Sequence, residues 1–109
     1  MQIEERLNLS KLFDTYGKLL SQRQYEVFDK YLNCDLGESE LAEMSGETRQ
    51  SIHDAISKAK KQLFVFEEKC KIVVNNEKLL DKLRKIRHNL EDNDLKSSIE
   101  AIDKIIDEI

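Results

Sequence analysis

The sequence predicts an all-α protein, and three observations predict it: composition, apolar spacing and the placement of glycine. The 109 residues include three Gly and no Pro, so the turn residues that a strand-rich fold needs are scarce. Apolar residues make up 39% and charged residues 37% of the chain, a balance typical of helices with wide solvated faces. Apolar residues also recur at intervals of three and four along most of the chain. One domain usually has about 100 to 200 residues, so we expect one modest core.

The first two helices are predicted by apolar spacing and by a capping pattern. A first helix is expected from about Ile3 to Leu19, and Gly17 should weaken its last turn. Ser21 followed by Gln24 fits a capping box, so a second helix should start at Ser21. Its inward positions are predicted to be Tyr25, Phe28 and Leu32, with Val27 and Tyr31 widening the apolar face.

The stretch from Leu36 to Ile56 has the residue types of a helix-turn-helix at its usual spacing. Gly37 is expected to cap a third helix that ends near Ser45 and Gly46, where glycine permits a positive φ. Thr48 is a good N-cap for a fourth helix, which could run to about Ile72 or beyond. Small and apolar residues at inward positions should let these two helices pack closely: Ala42, Ile52 and Ile56.

The C-terminal part repeats a coiled-coil spacing after a predicted break at residues 73–76. Four-three-four intervals connect Leu79, Leu83, Ile86 and Leu90, and again Leu95, Ile99, Ile102, Ile106 and Ile109. The chain is therefore divided into a helix-turn-helix bundle, residues 1–72, and a helical hairpin or dimerisation arm, residues 73–109. Two interpretations of the apolar stripe stay open: docking on the N-terminal bundle, or homodimerisation through the C-terminal helices.

Charge is distributed in blocks, although the formal net charge is only −4. An acidic segment without Lys or Arg contains Asp35, Glu38, Glu40, Glu43 and Glu47. The following basic stretch contains Arg49, Lys58, Lys60, Lys61, Lys69 and Lys71. Acidic and basic faces should therefore lie side by side, and the net charge argues against wholesale attraction to nucleic acid or to an anionic membrane.

Several function classes are excluded by the absence of their motifs. Cys34 and Cys70 stand outside any CxxC pattern, so neither a zinc site nor a disulfide framework is indicated, and reduced, partly buried thiols are expected. No Gly-rich phosphate loop, nucleophile elbow or metal-ligand pair is present, so we assign no catalytic role, metal or cofactor. No apolar run approaches the roughly 18 residues of a membrane span, and no leader pattern opens the chain. A cytoplasmic protein is expected.

The outward face of the fourth helix is the candidate nucleic-acid-binding site. In a helix-turn-helix the start of the second helix enters the major groove, where Arg suits guanine and Gln suits adenine. The candidates for base contact are Thr48, Arg49, Gln50, His53 and Ser57, with Lys60 and Lys61 placed for phosphates. The alternative is a helix-turn-helix that serves as a protein-interaction scaffold, since the acidic segment beside it would repel phosphates.

A second basic patch surrounds His88 and includes Arg84, Lys85 and Arg87. Two interpretations stay open: the patch contacts phosphate or RNA, or it is the solvated flank of a coiled coil.

Two runs of sequence resemble a known family. Residues 12–43, LFDTYGKLLSQRQYEVFDKYLNCDLGESELAE, and residues 49–69, RQSIHDAISKAKKQLFVFEEK, resemble the YlxM family of small bacterial helix-turn-helix proteins. The resemblance covers about Asn8 to Lys69, and its most specific piece is Arg49 to Asp54. It implies a fold similar to region 4 of primary sigma factors, which reads a promoter element. It also implies an association with the signal recognition particle pathway, because the family's genes accompany those of the particle's GTPase and its receptor.

The chain departs from the family's pattern at Glu38, Ser45 and Glu47, where apolar residues are expected. Burying an unpaired carboxylate would cost several kcal/mol. These side chains must therefore be exposed, paired or rearranged, and the turn of the motif is expected to be looser.

Overall fold

The computed structural model describes the whole chain, Met1 to Ile109, and contains six α-helices and no strand. The helices are α1 (Ile3–Tyr16), α2 (Gln22–Asn33), α3 (Glu38–Ser45), α4 (Arg49–Cys70), α5 (Ile72–Glu91) and α6 (Leu95–Glu108), with a short 3-10 helix at Gly17–Leu19. The all-α prediction is confirmed. Two compact units are present, Met1–Val73 and Val74–Ile109.

The first unit is built on α4, because α1, α2 and α3 all pack against it. One stripe of α4 is buried, and it includes the two predicted inward positions: Ile52, Ile56, Ala59 and Leu63. The opposing side chains are Leu9, Leu12, Phe13 and Tyr16 of α1, Phe28 and Leu32 of α2, and Leu41 and Ala42 of α3. The result is one continuous core of aliphatic and aromatic side chains.

The end of α1 is set by a close approach of backbone to side chain. A Cβ atom placed on Gly17 would lie 3.0 Å from Phe13 and 3.3 Å from Tyr25, so only glycine fits without movement. The rings of Phe13 and Tyr25 pack with their centroids 4.9 Å apart. The predicted first helix ran to Leu19, whereas α1 ends at Tyr16 and the chain tightens into the 3-10 helix.

The start of α2 follows the predicted capping box. The Ser21 hydroxyl accepts a hydrogen bond from the Gln24 backbone N–H at 3.2 Å, and the Gln24 side chain accepts one from the Ser21 N–H at 3.4 Å. The box satisfies two amide donors that a helix start would otherwise leave free. The chain therefore enters α2 at the residue that the sequence indicates.

The junction between α4 and α5 is held by Tyr16 and Glu67. The buried Tyr16 hydroxyl donates to Glu67 Oε1 at 2.6 Å and accepts from the Ile72 N–H at 3.1 Å, while Glu67 Oε1 also accepts from the Val73 N–H at 3.0 Å. Burial, followed by the hydrogen bond to Glu67, raises the pKa of the Tyr16 phenol. These bonds satisfy the first amides of α5.

The break between the two helices lies at Lys71, which adopts a left-handed conformation with φ 55°. The sequence placed it at residues 73–76, where β-branched and Asn residues are poor helix formers. Those residues are helical, and at the start of α5 the N–H groups of Ile72 and Val73 donate to the side chains of Tyr16 and Glu67.

The second unit is a helical hairpin. Asn93 is left-handed (φ 58°), and Asp94 caps α6 by accepting from the Ser97 N–H at 3.1 Å. Hydrogen bonds from the Ser97 side chain and backbone lower the pKa of the Asp94 carboxyl. Lys82 of α5 pairs with Glu108 of α6, which brings the two helices alongside each other.

The apolar seam of the hairpin is largely exposed. Ile86 is buried, but most of the other large apolar side chains are exposed: Leu79, Leu80, Leu83, Leu90, Leu95, Ile99, Ile102, Ile106 and Ile109.

Both cysteines of the first unit are exposed, so the expectation of partly buried thiols at Cys34 and Cys70 is wrong. Cys34 lies just past the end of α2, and Cys70 is the last residue of α4.

Candidate nucleic-acid interface

The turn between α3 and α4 is compact. Gly46 has φ 71° and ψ 16°, a left-handed conformation that glycine adopts without steric cost. The N–H groups of Gly46 and Glu47 both donate to the Ala42 carbonyl, the latter at 3.1 Å, and so close the end of α3. The expectation of a looser turn is therefore wrong.

Thr48 starts α4 by capping it. The Thr48 hydroxyl accepts from the Ser51 N–H at 3.1 Å, as the sequence predicts for an N-cap. The hydroxyl is thus engaged in the helix start, and only its remaining hydrogen-bonding capacity is available to a ligand. Ile52 and Ile56 face the core from the next two turns, which turns the polar side of α4 outward.

Most of the predicted site residues come together on that outward side. Arg49, Gln50, His53 and Ser57 are exposed on the first half of α4, and Lys61 is exposed just past its midpoint. Ser57 Oγ lies 3.5 Å from His53 Nε2, one turn apart on the same face. A shallow cavity of about 520 Å³ is lined by Arg49, Gln50 and His53 together with Glu38 of α3.

Lys60 lies apart from this group. Its Nζ is 5.5 Å from the centroid of the Tyr31 ring and 4.0 Å from the Glu5 carboxylate, so it faces α2 and α1. A cation over an aromatic face is attracted by the ring quadrupole, which explains the position. The structure does not place Lys60 beside the other predicted residues. Lys61 is exposed and lines a separate shallow cavity with Ser21 and Gln24 at the start of α2.

Carboxylates of the same chain contact the polar side chains of the candidate face. Glu38 Oε1 lies 2.9 Å from His53 Nδ1, and Glu38 Oε2 lies 3.8 Å from Arg49 Nε. Gln50 donates from Nε2 to Asp54 Oδ1 at 2.9 Å, within α4. The Glu38 side chain is 24% exposed and is paired with His53 and Arg49.

The side chains of Ser45 and Glu47 also have hydrogen-bond partners. The Ser45 hydroxyl donates to the Leu41 carbonyl at 2.8 Å. Glu47 forms an ion pair with Arg23 of α2 and accepts from the Ser51 hydroxyl at 3.1 Å, while Arg23 donates to the same hydroxyl at 2.8 Å. The hydrogen bond from Arg23 is the main reason that the pKa of Glu47 is lowered. Arg23 was missed by the sequence analysis, because it lies on another helix and carries no motif.

The second basic patch, on α5, is largely matched by neighbouring acids. Arg84 Nη1 lies 3.6 Å from Asp81, Arg87 Nε 3.3 Å from Glu91, and His88 Nε2 3.3 Å from Asp92. These are exposed pairs three or four residues apart, the pattern of a solvated helix flank. The geometry favours that interpretation over a phosphate contact.

A metal site and a membrane span each place requirements on the side chains and helices of a chain. No group of three or more His, Cys, Asp or Glu side chains is placed to hold a metal ion. None of the helices combines the length and the apolar character that crossing a membrane requires.

Comparison with known proteins agrees with the helix-turn-helix geometry. The sequence model of one family, UPF0122, described as "Putative helix-turn-helix protein, YlxM / p13 like", matches residues 3–105. A UPF0122 protein of Clostridium acetobutylicum is 37% identical over 111 residues, covering 95% of this chain and 96% of the relative. UPF0122 proteins of Clostridium perfringens and of a Thermoanaerobacter species are 39% and 33% identical, and each match covers 97% of this chain and more than nine-tenths of the relative.

The Arg23–Glu47 pair predicts how stability changes in acid. The pKa of Glu47 is lower in the folded state than in the unfolded state. The ionised carboxylate therefore adds to the free energy of unfolding above the unfolded-state pKa, and this stabilisation is lost as the pH falls through the folded-state pKa. Glu47→Gln should therefore lower the urea midpoint at neutral pH, and the difference from wild type should shrink toward about pH 3. Glu43→Gln, an exposed position on α3, is the control. A difference that stays constant with pH would contradict the assignment.

Proposed function

We propose that this chain, which belongs to the UPF0122 family of helix-turn-helix proteins, is a regulatory nucleic-acid-binding protein that acts without catalysis. The observation that carries the proposal is the outward face of α4. Arg49 and Gln50 follow closely on the left-handed turn at Gly46, and His53, Ser57 and Lys61 are exposed further along the same helix. The first turns of the second helix are the part of such a motif that reaches the major groove.

The chemistry of this face suits base and phosphate contacts. An Arg guanidinium can donate two hydrogen bonds to guanine O6 and N7, and a Gln amide can pair with adenine. Lys61, three turns beyond Arg49, is placed for the phosphate backbone, and such contacts weaken with added salt. A structured RNA offers the same phosphates, so duplex DNA and RNA are both candidate ligands.

The family resemblance suggests a pathway for this activity. Its association with the genes of the signal recognition particle supports a role in protein targeting, in the cytoplasm. The residues of the α4 face do not themselves point to that pathway, so this part of the proposal depends on the resemblance alone.

The second unit supports a homodimer. The apolar side chains along α5 and α6 follow heptad spacing and are largely exposed. An exposed seam of this kind costs free energy in water, and a second copy presents a face of the same spacing. Two hairpins paired by a twofold axis would form a four-helix bundle with a shared core. We propose that α5 and α6 are this dimerisation arm.

An alternative function is also supported by an observation. The Arg49 and His53 side chains contact a carboxylate of their own chain, and α3 exposes Glu40 and Glu43 beside them. An acidic face of this kind suits a basic protein partner better than a phosphate backbone. The alternative is a protein-interaction module that modulates the signal recognition particle or its receptor without contacting nucleic acid.

Arg49→Ala should weaken binding to nucleic acid about tenfold, because it removes the principal cation of the candidate face. Fluorescence anisotropy with labelled mixed-sequence duplex DNA and with an RNA hairpin, across a salt series, measures the change. Lys69→Ala removes the same charge from the last turn of α4 and should have little effect. Equal losses for the two variants, or binding that does not respond to salt, would count against the proposal.

If α5 and α6 form a dimer interface, a charged substitution in their apolar seam should halve the sedimenting mass of the protein. Wild type should sediment as a dimer at micromolar concentration, and Ile102→Asp should shift it to monomer because a carboxylate would enter the apolar interface. Ile3→Asp places the same charge at an exposed apolar position of α1 and should leave the dimer intact. A wild-type protein that sediments only as a monomer would refute the proposed arm.

The two functions differ in what survives nuclease treatment. If nucleic acid is the ligand, it should co-purify with the tagged protein, and nuclease should release any accompanying proteins. If the protein-interaction alternative is correct, signal recognition particle proteins should remain bound after nuclease, and the double variant Glu40→Gln/Glu43→Gln should lose them. Identification of both nucleic acid and protein in the same eluate distinguishes the two results.

A further inference from the structure

Glu38 is the first residue of α3, and its carboxylate faces two side chains of α4 at once. One oxygen lies 2.9 Å from His53 Nδ1 and the other 3.8 Å from Arg49 Nε. Since a carboxylate only accepts hydrogen bonds, the His53 Nδ1 must carry the proton in this contact. Glu38 is therefore anchored to the two residues at the centre of the candidate face.

The groups that Glu38 engages are the groups that a nucleic acid would need. A carboxylate presents two acceptor oxygens to Arg49 and His53, and the non-bridging oxygens of a phosphate or the O6 and N7 atoms of guanine offer a comparable pair. Both kinds of acceptor would meet the same donors in the cavity lined by Glu38, Arg49, Gln50 and His53. In the free protein Arg49 Nε and His53 Nδ1 both face Glu38, so an acceptor pair on a nucleic acid that uses these same two atoms must displace the carboxylate.

We propose that Glu38 is an internal competitor of the nucleic acid: its carboxylate holds Arg49 and His53 in the free protein, and an acceptor pair on the nucleic acid displaces it on binding. The inference rests on the proposed nucleic-acid-binding function. Glu38 thereby sets the affinity of the site and selects ligands that supply a strong pair of acceptors.

The position of Glu38 distinguishes this role from a general effect of acidic charge. Glu40 occupies the same first turn of α3, where any carboxylate is favoured by the helix dipole, but it is exposed and does not engage Arg49. Loss of either carboxylate changes the net charge by the same amount. Only loss of Glu38 should free the two side chains of α4.

The test compares Glu38→Gln with Glu40→Gln in the full-length protein, each with and without Arg49→Ala. Circular dichroism and thermal unfolding first establish that every variant is folded. Fluorescence anisotropy then measures affinity for three probes: a duplex that contains guanine, a duplex of A·T pairs alone, and an RNA hairpin. The A·T duplex offers phosphates but no guanine, so it separates the two sources of the acceptor pair.

Glu38→Gln should tighten binding about two- to fivefold, the range expected for releasing an exposed ion pair. Glu40→Gln should give a smaller gain, and the gain from Glu38→Gln should disappear when Arg49 is Ala. An equal gain on the A·T duplex identifies phosphate as the displacing group, whereas a gain confined to the other duplex identifies guanine.

Other outcomes separate the inference from the function on which it rests. If Arg49→Ala weakens wild-type binding but Glu38→Gln gives no more gain than Glu40→Gln, the site binds nucleic acid and Glu38 is not its competitor. A gain from Glu38→Gln that persists in the Arg49→Ala background also overturns the inference. If wild type and Glu38→Gln both fail to bind any probe, the proposed function and the inference fall together.

Discussion

Burial of one stripe of α4 is the constraint on which the rest of the first unit depends. This stripe is shielded from solvent only when α1, α2 and α3 pack over it together, and it consists of Ile52, Ile56, Ala59 and Leu63. Because successive helix residues are about 100° apart, burying this stripe also fixes which side chains face outward. The exposed position of Arg49, Gln50 and His53 is thus a consequence of core packing.

Polar contacts stabilise the turn of the helix-turn-helix and the helices on either side of it. Glu47 pairs with Arg23, Ser45 bonds to the Leu41 carbonyl, and Glu38 pairs with the candidate site itself. Each carboxylate keeps a partner and part of its solvation, which avoids the cost of a buried, unpaired charge. The same solution that stabilises the fold places negative charge beside the face that would meet nucleic acid.

The two units use apolar surface in different ways. In the first unit the apolar side chains of four helices converge on one core, and few large ones remain open on α4. In the hairpin, two helices cannot enclose a heptad seam alone, so Ile86 is buried while its neighbours along the seam stay exposed. The helix-turn-helix unit therefore has a core of its own, whereas the apolar seam of the hairpin stays open to solvent.

The sequence by itself determined what depends on neighbours three or four residues away. The capping box at Ser21, the cap at Thr48, the glycine turn at Gly46 and the buried stripe of α4 all follow from local spacing, and the structure agrees with each. Only the tertiary structure decided the contacts between helices. Arg23 meets Ser51 across 28 positions, Lys60 turns to Tyr31, and Tyr16 reaches the start of α5 across 56. A long side chain on a packed helix can reach several partners on neighbouring helices. Which partner it contacts depends on distances in space that sequence spacing does not encode.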